Sequence, residues 1–192
     1  MVKQISKKLI MNLLAILLCL ISVIALTACG GDDTSKVMNL SLNPEIELIL
    51  DKNNKVVTVN ALNDEGNYIV ANVDFSGLSA EDAVDRFLQA VKDNGFLIED
   101  NVSVSENELE ISISGENAQK LIDQVKASAQ DYLTNLGITA TIETDLLDKD
   151  YLEGLVEECM QEMTDSEIEA LSEEELINLL KTSRNETKNL LS

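Results

Sequence analysis

From Val37 onward apolar and polar residues alternate with a period of two. Met38, Leu40 and Leu42 alternate with Asn39, Ser41 and Asn43, and beyond Pro44 the residues Ile46, Leu48 and Leu50 alternate with Glu45, Glu47 and Ile49. Successive side chains of a strand leave on opposite faces, so this pattern predicts two half-buried strands, or one strand interrupted at Pro44. Asp51-Lys52-Asn53-Asn54 is a hairpin turn signal, and Val56 to Leu62 is the returning strand, closed by Asn63-Asp64-Glu65-Gly66. The period then lengthens. Ser79-Ala80-Glu81-Asp82 opens a helix in capping-box style, with Ala83, Phe87, Ala90 and Val91 inward and Gly95 as its stop. Leu109, Ile111 and Ile113 mark another strand. A second helix is predicted from about Glu116 to Leu136, with Ala118, Leu121, Ile122, Val125, Ala129 and Leu133 on one side and Gly137 ending it. Ile138, Ala140 and Ile142 make the last strand.

This order predicts an α+β fold: one antiparallel or mixed sheet with two helices on one face, followed by a helical C-terminal appendage. From Asp145 the chain turns helical and strongly acidic, with helix-start signatures at Thr164-Asp165-Ser166-Glu167 and Ser172-Glu173-Glu174-Glu175. Leu152, Leu155, Val156, Cys159, Met160 and Met163 form one apolar stripe, and Leu176, Ile177, Leu179 and Leu180 another. Such stripes serve either to pack these helices on each other and on the sheet, or to form a groove for a partner.

The N-terminus has the pattern of a targeting segment. Lys3, Lys7 and Lys8 precede an apolar run from Leu9 to Leu26, and Leu26-Thr27-Ala28-Cys29 follows with Gly30-Gly31 behind it. This is similar to a bacterial lipoprotein signal, in which Cys29 is acylated and becomes the first residue of the mature chain. An uncleaved transmembrane anchor is the alternative, since the run is long enough for a bilayer core of roughly 30 Å. Both place the rest of the chain on the extracytoplasmic side. The expected organisation is a signal peptide (1–28), a tether (29–36), an α+β domain (37–145) and an acidic helical appendage (146–192).

Charge narrows the partners. The 192 residues carry 14 Lys+Arg against 35 Asp+Glu, a formal charge of -21, the wrong sign for nucleic acid. Signal removal takes three lysines and no acid, so the mature chain is more acidic still and anionic headgroups would repel it. Lipid on Cys29 would therefore supply the membrane attachment. With no His and 3 Cys, no Ser-His-Asp triad, Cys-His pair or His-ligated metal site can form. Cys19 leaves with the signal and Cys29 is acylated, which leaves Cys159 as the one free thiol of the mature chain. No cofactor, metal or small-molecule substrate is expected.

Two segments carry a resemblance. Ser41-Leu42-Asn43-Pro44-Glu45-Ile46-Glu47-Leu48-Ile49-Leu50, with Asn54-Lys55-Val56-Val57-Thr58-Val59-Asn60-Ala61-Leu62-Asn63-Asp64-Glu65-Gly66, resembles the extracytoplasmic domain of RsgI-type anti-sigma-I factors. The likeness continues more loosely to about Thr144. Only Met1 to Lys8 precede the apolar run, so the expectation is a lipid-anchored relative with the outer domain alone. The resemblance implies self-cleavage between Asn43 and Pro44, with both fragments held by the sheet. The residues suit that chemistry. An Asn side-chain nitrogen can attack its own main-chain carbonyl and expel the next residue's amine. The usual rival, attack by the following backbone nitrogen, is closed because a proline nitrogen has no hydrogen. The residue before proline is also biased to extended geometry. Read without the resemblance, the same dipeptide is a strand break.

Other constellations have plainer readings. Asp145, Asp148 and Asp150 lack the glycine and distal glutamate of a calcium loop and suit a helix start. Asp51 with Asn53 suits a turn, Glu45 and Glu47 the outer face of an edge strand, and Cys159 a small core position. Asn185-Glu186-Thr187 fits a glycosylation sequon that a bacterial lipoprotein would ordinarily ignore. Three functions stay open. One is a lipid-anchored extracytoplasmic regulatory or sensing domain, and a second is an adaptor whose acidic helical tail docks another envelope protein. The third is a wall-polymer enzyme using carboxylates alone, disfavoured because only 3% of residues are aromatic and sugars favour aromatic platforms. The expectation is no enzyme beyond a single-turnover self-cleavage.

Overall fold

A computed structural model describes residues 34–98 and 107–191. The signal segment and Cys29 lie outside the described residues. The strands are β1 (Thr34–Ser41), β2 (Glu45–Asp51), β3 (Val56–Ala61), β4 (Glu108–Ile113) and β5 (Thr141–Leu146). The helices are α1 (Asp64–Asn72), α2 (Ala80–Asp93), α3 (Ala118–Leu136), α4 (Lys149–Cys159), α5 (Asp165–Glu169) and α6 (Glu173–Leu191). The strands form one sheet in the order β3-β2-β1-β4-β5. β1 pairs antiparallel with both β2 and β4, β2 antiparallel with β3, and β4 parallel with β5. The sheet is mixed, one of the two arrangements the element order allows, and α3 is the crossover that its parallel pair requires. β1 begins at Thr34, inside the stretch read as tether, and becomes the central strand.

On one face, Met38 and Leu40 of β1, Ile46, Leu48 and Leu50 of β2, and Leu109, Ile111 and Ile113 of β4 pack beneath α2 and α3. Phe87, Leu88 and Val91 come from α2, and Leu121, Val125 and Leu133 from α3. Ser79 caps α2 by accepting from Asp82 N, and Gly137 ends α3 at φ 71°, where Ile138 N returns to Leu133 O. That return makes Ile138 part of the α3 stop. β5 therefore starts at Thr141, three residues later than the alternation suggests.

The opposite face is covered too. Val37 of β1 and Ile49 of β2 pack with Leu152 and Val156 of α4, Ile168 of α5, and Leu176, Ile177 and Leu180 of α6. The C-terminal helices spend their apolar stripes on the back of the sheet, and Asp33–Ser192 is one compact unit. Because both faces are covered, Glu47 is fully buried. The edge-strand reading of Glu47 fails, since β2 lies between β1 and β3. Its Oε1 accepts from Arg184 Nε at 3.1 Å. Beside it, Asn39 Nδ2 donates to Tyr151 Oη at 2.7 Å, and Thr58 Oγ1 donates to Asn185 Oδ1 at 3.4 Å.

The β2–β3 turn is built by Asp51. Its Oδ1 accepts from Asn53 N at 2.8 Å and Lys55 N at 2.9 Å, and Oδ2 from Asn53 Nδ2 at 3.4 Å. Burial opposes ionisation here, but these donors and the Lys55 charge outweigh it and hold the carboxyl below the usual range. A depressed folded pKa contributes stability above the unfolded value of about 3.9, lost as pH falls through the folded pKa. Asp51→Asn should therefore cost up to about 1 kcal/mol at pH 7, kept small by solvent screening, and nothing once both residues are neutral. Urea midpoints at pH 7 and below pH 3 check this, and a deficit that persists in acid would contradict it.

Candidate functional site

Three residues, Leu42, Asn43 and Pro44, connect β1 to β2, with Ser41 opposite Glu45 as the last ladder pair. Leu42 N donates to Pro44 O at 3.0 Å and tightens the reversal. Asn43 sits at φ 46°, the left-handed region. The extended geometry expected before a proline is not what the chain adopts, because so short a turn between two paired strands needs a residue that reverses direction. Asn tolerates that region better than most side chains, at a cost of roughly 1 kcal/mol. Asn43 is exposed and Pro44 is buried. The junction is thus a strained reversal between two interior strands.

One side chain braces it. Asn63 is the N-cap of α1, and its Oδ1 accepts from Gly66 N at 2.7 Å. The same oxygen accepts from Glu45 N at 3.1 Å, while Nδ2 donates to Asn43 Oδ1 at 3.2 Å. Leu62 N donates to Glu45 O at 3.0 Å. The start of α1 is therefore bound to the residue just past Pro44 and to the side chain just before it. Gly66 allows that approach, since a Cβ there would stand 2.1 Å from Glu45 O. Reading Asn63-Asp64-Glu65-Gly66 as a closing turn misses α1 and both of these roles. The available signal was an Asn followed by two acids, which is also how a capped helix begins.

Residues 35–189 match a family described as the anti-sigma factor RsgI-like central domain. The chain belongs to that family. The match runs from β1 into α6, so this RsgI-like domain takes in the C-terminal helices as well as the sheet. Anti-sigma-I factor RsgI7 of Acetivibrio thermocellus is 24% identical over 108 residues, covering 55% of this chain and 19% of that protein. The chain spans about a fifth of that relative's length.

A cleft of about 320 Å³ opens beside the Asn43 turn of the RsgI-like domain, lined by Ser41, Leu42, Asn43, Glu45, Glu108, Glu110 and Glu143. Among the described residues no group of three or more His, Cys, Asp or Glu is placed to hold a metal ion. Asp148 caps α4 by accepting from Tyr151 N at 3.0 Å, the helix-start role its sequence suggests. Cys159 is half-buried and packs on the back-face cluster. Burial pushes the Tyr151 phenol up, its bond from Asn39 opposing and the Glu47 charge adding to the rise. No described helix is long and apolar enough to cross a membrane.

Proposed function

We propose that this RsgI-like domain is a lipid-anchored regulatory or sensing module of the envelope, severed by its own chemistry between Asn43 and Pro44. Asn43 Nδ2 attacks the Asn43 main-chain carbonyl carbon, the bond to the Pro44 nitrogen breaks, and a proton passes from the amide to that nitrogen. The products are a C-terminal cyclic imide on residue 43 and a new secondary amine on Pro44. Water later opens the imide. Strain of about 1 kcal/mol in the turn amounts to less than tenfold in rate, so orientation of the amide has to contribute more.

The observation that carries this reading is the position of the junction. It lies at one end of β1, the central strand, so a cut there leaves β1 bonded to β2 on one side and β4 on the other. A lipid on Cys29 would then hold residues 44 to 192 only through that strand. Pulling, or a competing strand, would free the domain and give a release signal. The adaptor reading has less support, because the apolar stripes of α4 and α6 are already buried against the sheet. A docking partner would meet the acidic outer faces instead.

Intact mass of purified residues 30 to 192 should show two fragments dividing at Asn43–Pro44, whose masses sum to that of the whole chain until water opens the imide. Asn43→Ala should give one species. In membrane fractions under mild denaturant, wild type should release residues 44 to 192 while Asn43→Ala stays bound. An unbroken wild-type chain retained like the variant would end the proposal.

A further inference from the structure

Asn63 makes three bonds at the junction, and they are not interchangeable. Its oxygen faces two backbone N–H donors, Gly66 N and Glu45 N. Turning the amide over would point its NH2 at both donors and lose both bonds. The cap therefore dictates which way Nδ2 points, and it points at Asn43 Oδ1. Asn63 in turn sits where it does because Leu62 N is bonded to Glu45 O and Gly66 lets α1 lie against that carbonyl. The α1 start thus acts as a jig for the Asn43 side chain.

We infer that Asn63 is a positioning residue for scission at Asn43–Pro44, holding the Asn43 amide by its oxygen so that the nitrogen is the end left to attack. This rests on the self-cleavage reading above. The bond does two things. It restricts rotation about the Asn43 side chain, removing conformations in which oxygen rather than nitrogen approaches the main-chain carbonyl. It also stabilises the electron density that shifts onto Oδ1 as the amide nitrogen gives up its proton, an interaction that strengthens toward the transition state.

The donor can be separated from the cap. Asn63→Asp keeps the acceptor for Gly66 N and Glu45 N, and Asp caps helices as well as Asn does, but it has no N–H for Asn43. Asn63→Ser keeps a capping oxygen on a side chain too short to reach Asn43. Asn63→Ala loses both functions. After refolding from denaturant at pH 7, scission followed by intact mass should be at least about tenfold slower than wild type in all three variants, equivalent to about 1.4 kcal/mol of barrier. Melting temperature, measured on each chain with Asn43→Ala added to prevent scission, should fall only for Asn63→Ala. A merely structural Asn63 predicts the same unchanged melting for the two capping variants, but with wild-type scission rates. That result would overturn the inference and leave self-cleavage standing. A wild type that never breaks would instead remove the self-cleavage reading, and this inference with it.

Discussion

Gly66→Ala is expected to lower stability by more than about 3 kcal/mol, although alanine is the better helix former by about 1 kcal/mol. The new methyl carbon would lie 2.1 Å from Glu45 O, 3.1 Å from Glu45 C and 3.0 Å from Asn63 Oδ1. Two of these three atoms are backbone, so no rotamer change relieves the clash. Glu45 is an interior-strand residue held by Leu62 N and by the Asn63 side chain, and α1 cannot back away without losing its cap. The melting temperature should drop by about 6 °C or more, at about 2 to 4 °C per kcal/mol for a chain of this size. Gly154→Ala is the matched control. Gly154 lies within α4 with nothing inside 4 Å of an added Cβ, so the same substitution should be neutral or stabilising there. Equal melting of the two variants would mean that α1 does not press on the start of β2. If Gly66→Ala still folds, its scission should also slow, because displacing α1 carries Asn63 away from Asn43.

The strand and helix periods were legible because the principal core faces one layer of helices, and a one-sided burial pattern is what alternation reports. Met38, Leu40, Ile46, Leu48, Leu109 and Ile111 all fall on that face. What alternation cannot report is a second layer. The pairing of Val37 and Ile49 with α4, α5 and α6 turns β1 and β2 into strands buried on both sides, and Glu47 is polar yet fully covered. A charged residue at a solvent-phase position of a strand reads as exposed unless its partner is known, and Arg184 is 137 residues away. α1 was missed for a local reason: three polar residues and a glycine at the end of a strand satisfy turn chemistry and helix capping equally, and few residues of the helix that follows are buried. At the site, the dipeptide Asn43-Pro44 stood out by its chemistry, whereas Asn63 did not, because its role is defined only once the hairpin and the helix start are brought together.

Arg184→Met should destabilise the domain by about 3 to 5 kcal/mol, lowering the melting temperature by about 6 °C or more. Glu47 is completely buried and Arg184 largely so, with side-chain exposures of 0% and 19%. One Glu47 oxygen bonds Arg184, while Oε2 is buried without a hydrogen-bond partner, as is Asn39 Oδ1 on the residue opposite it in β1. The pair itself need contribute little, since desolvation offsets most of the attraction between buried charges. Removing the cation alone is different, because methionine keeps much of the apolar stem but takes away the guanidinium from which the fully buried Glu47 carboxylate accepts its hydrogen bond. The double variant Glu47→Leu with Arg184→Met, with neither charge present, should recover most of the loss, and the non-additivity measures the coupling. A single-variant cost below about 1 kcal/mol would show that the ion pair does not anchor α6. The consequence reaches the junction, since Val37 and Asn39 of β1 lie under α4 and α6. In a severed chain the back layer helps to keep β1 in the sheet. Loosening α6 should therefore release residues 44 to 192 from membranes at lower denaturant than in wild type, while leaving the rate of scission on the far side of the hairpin unchanged.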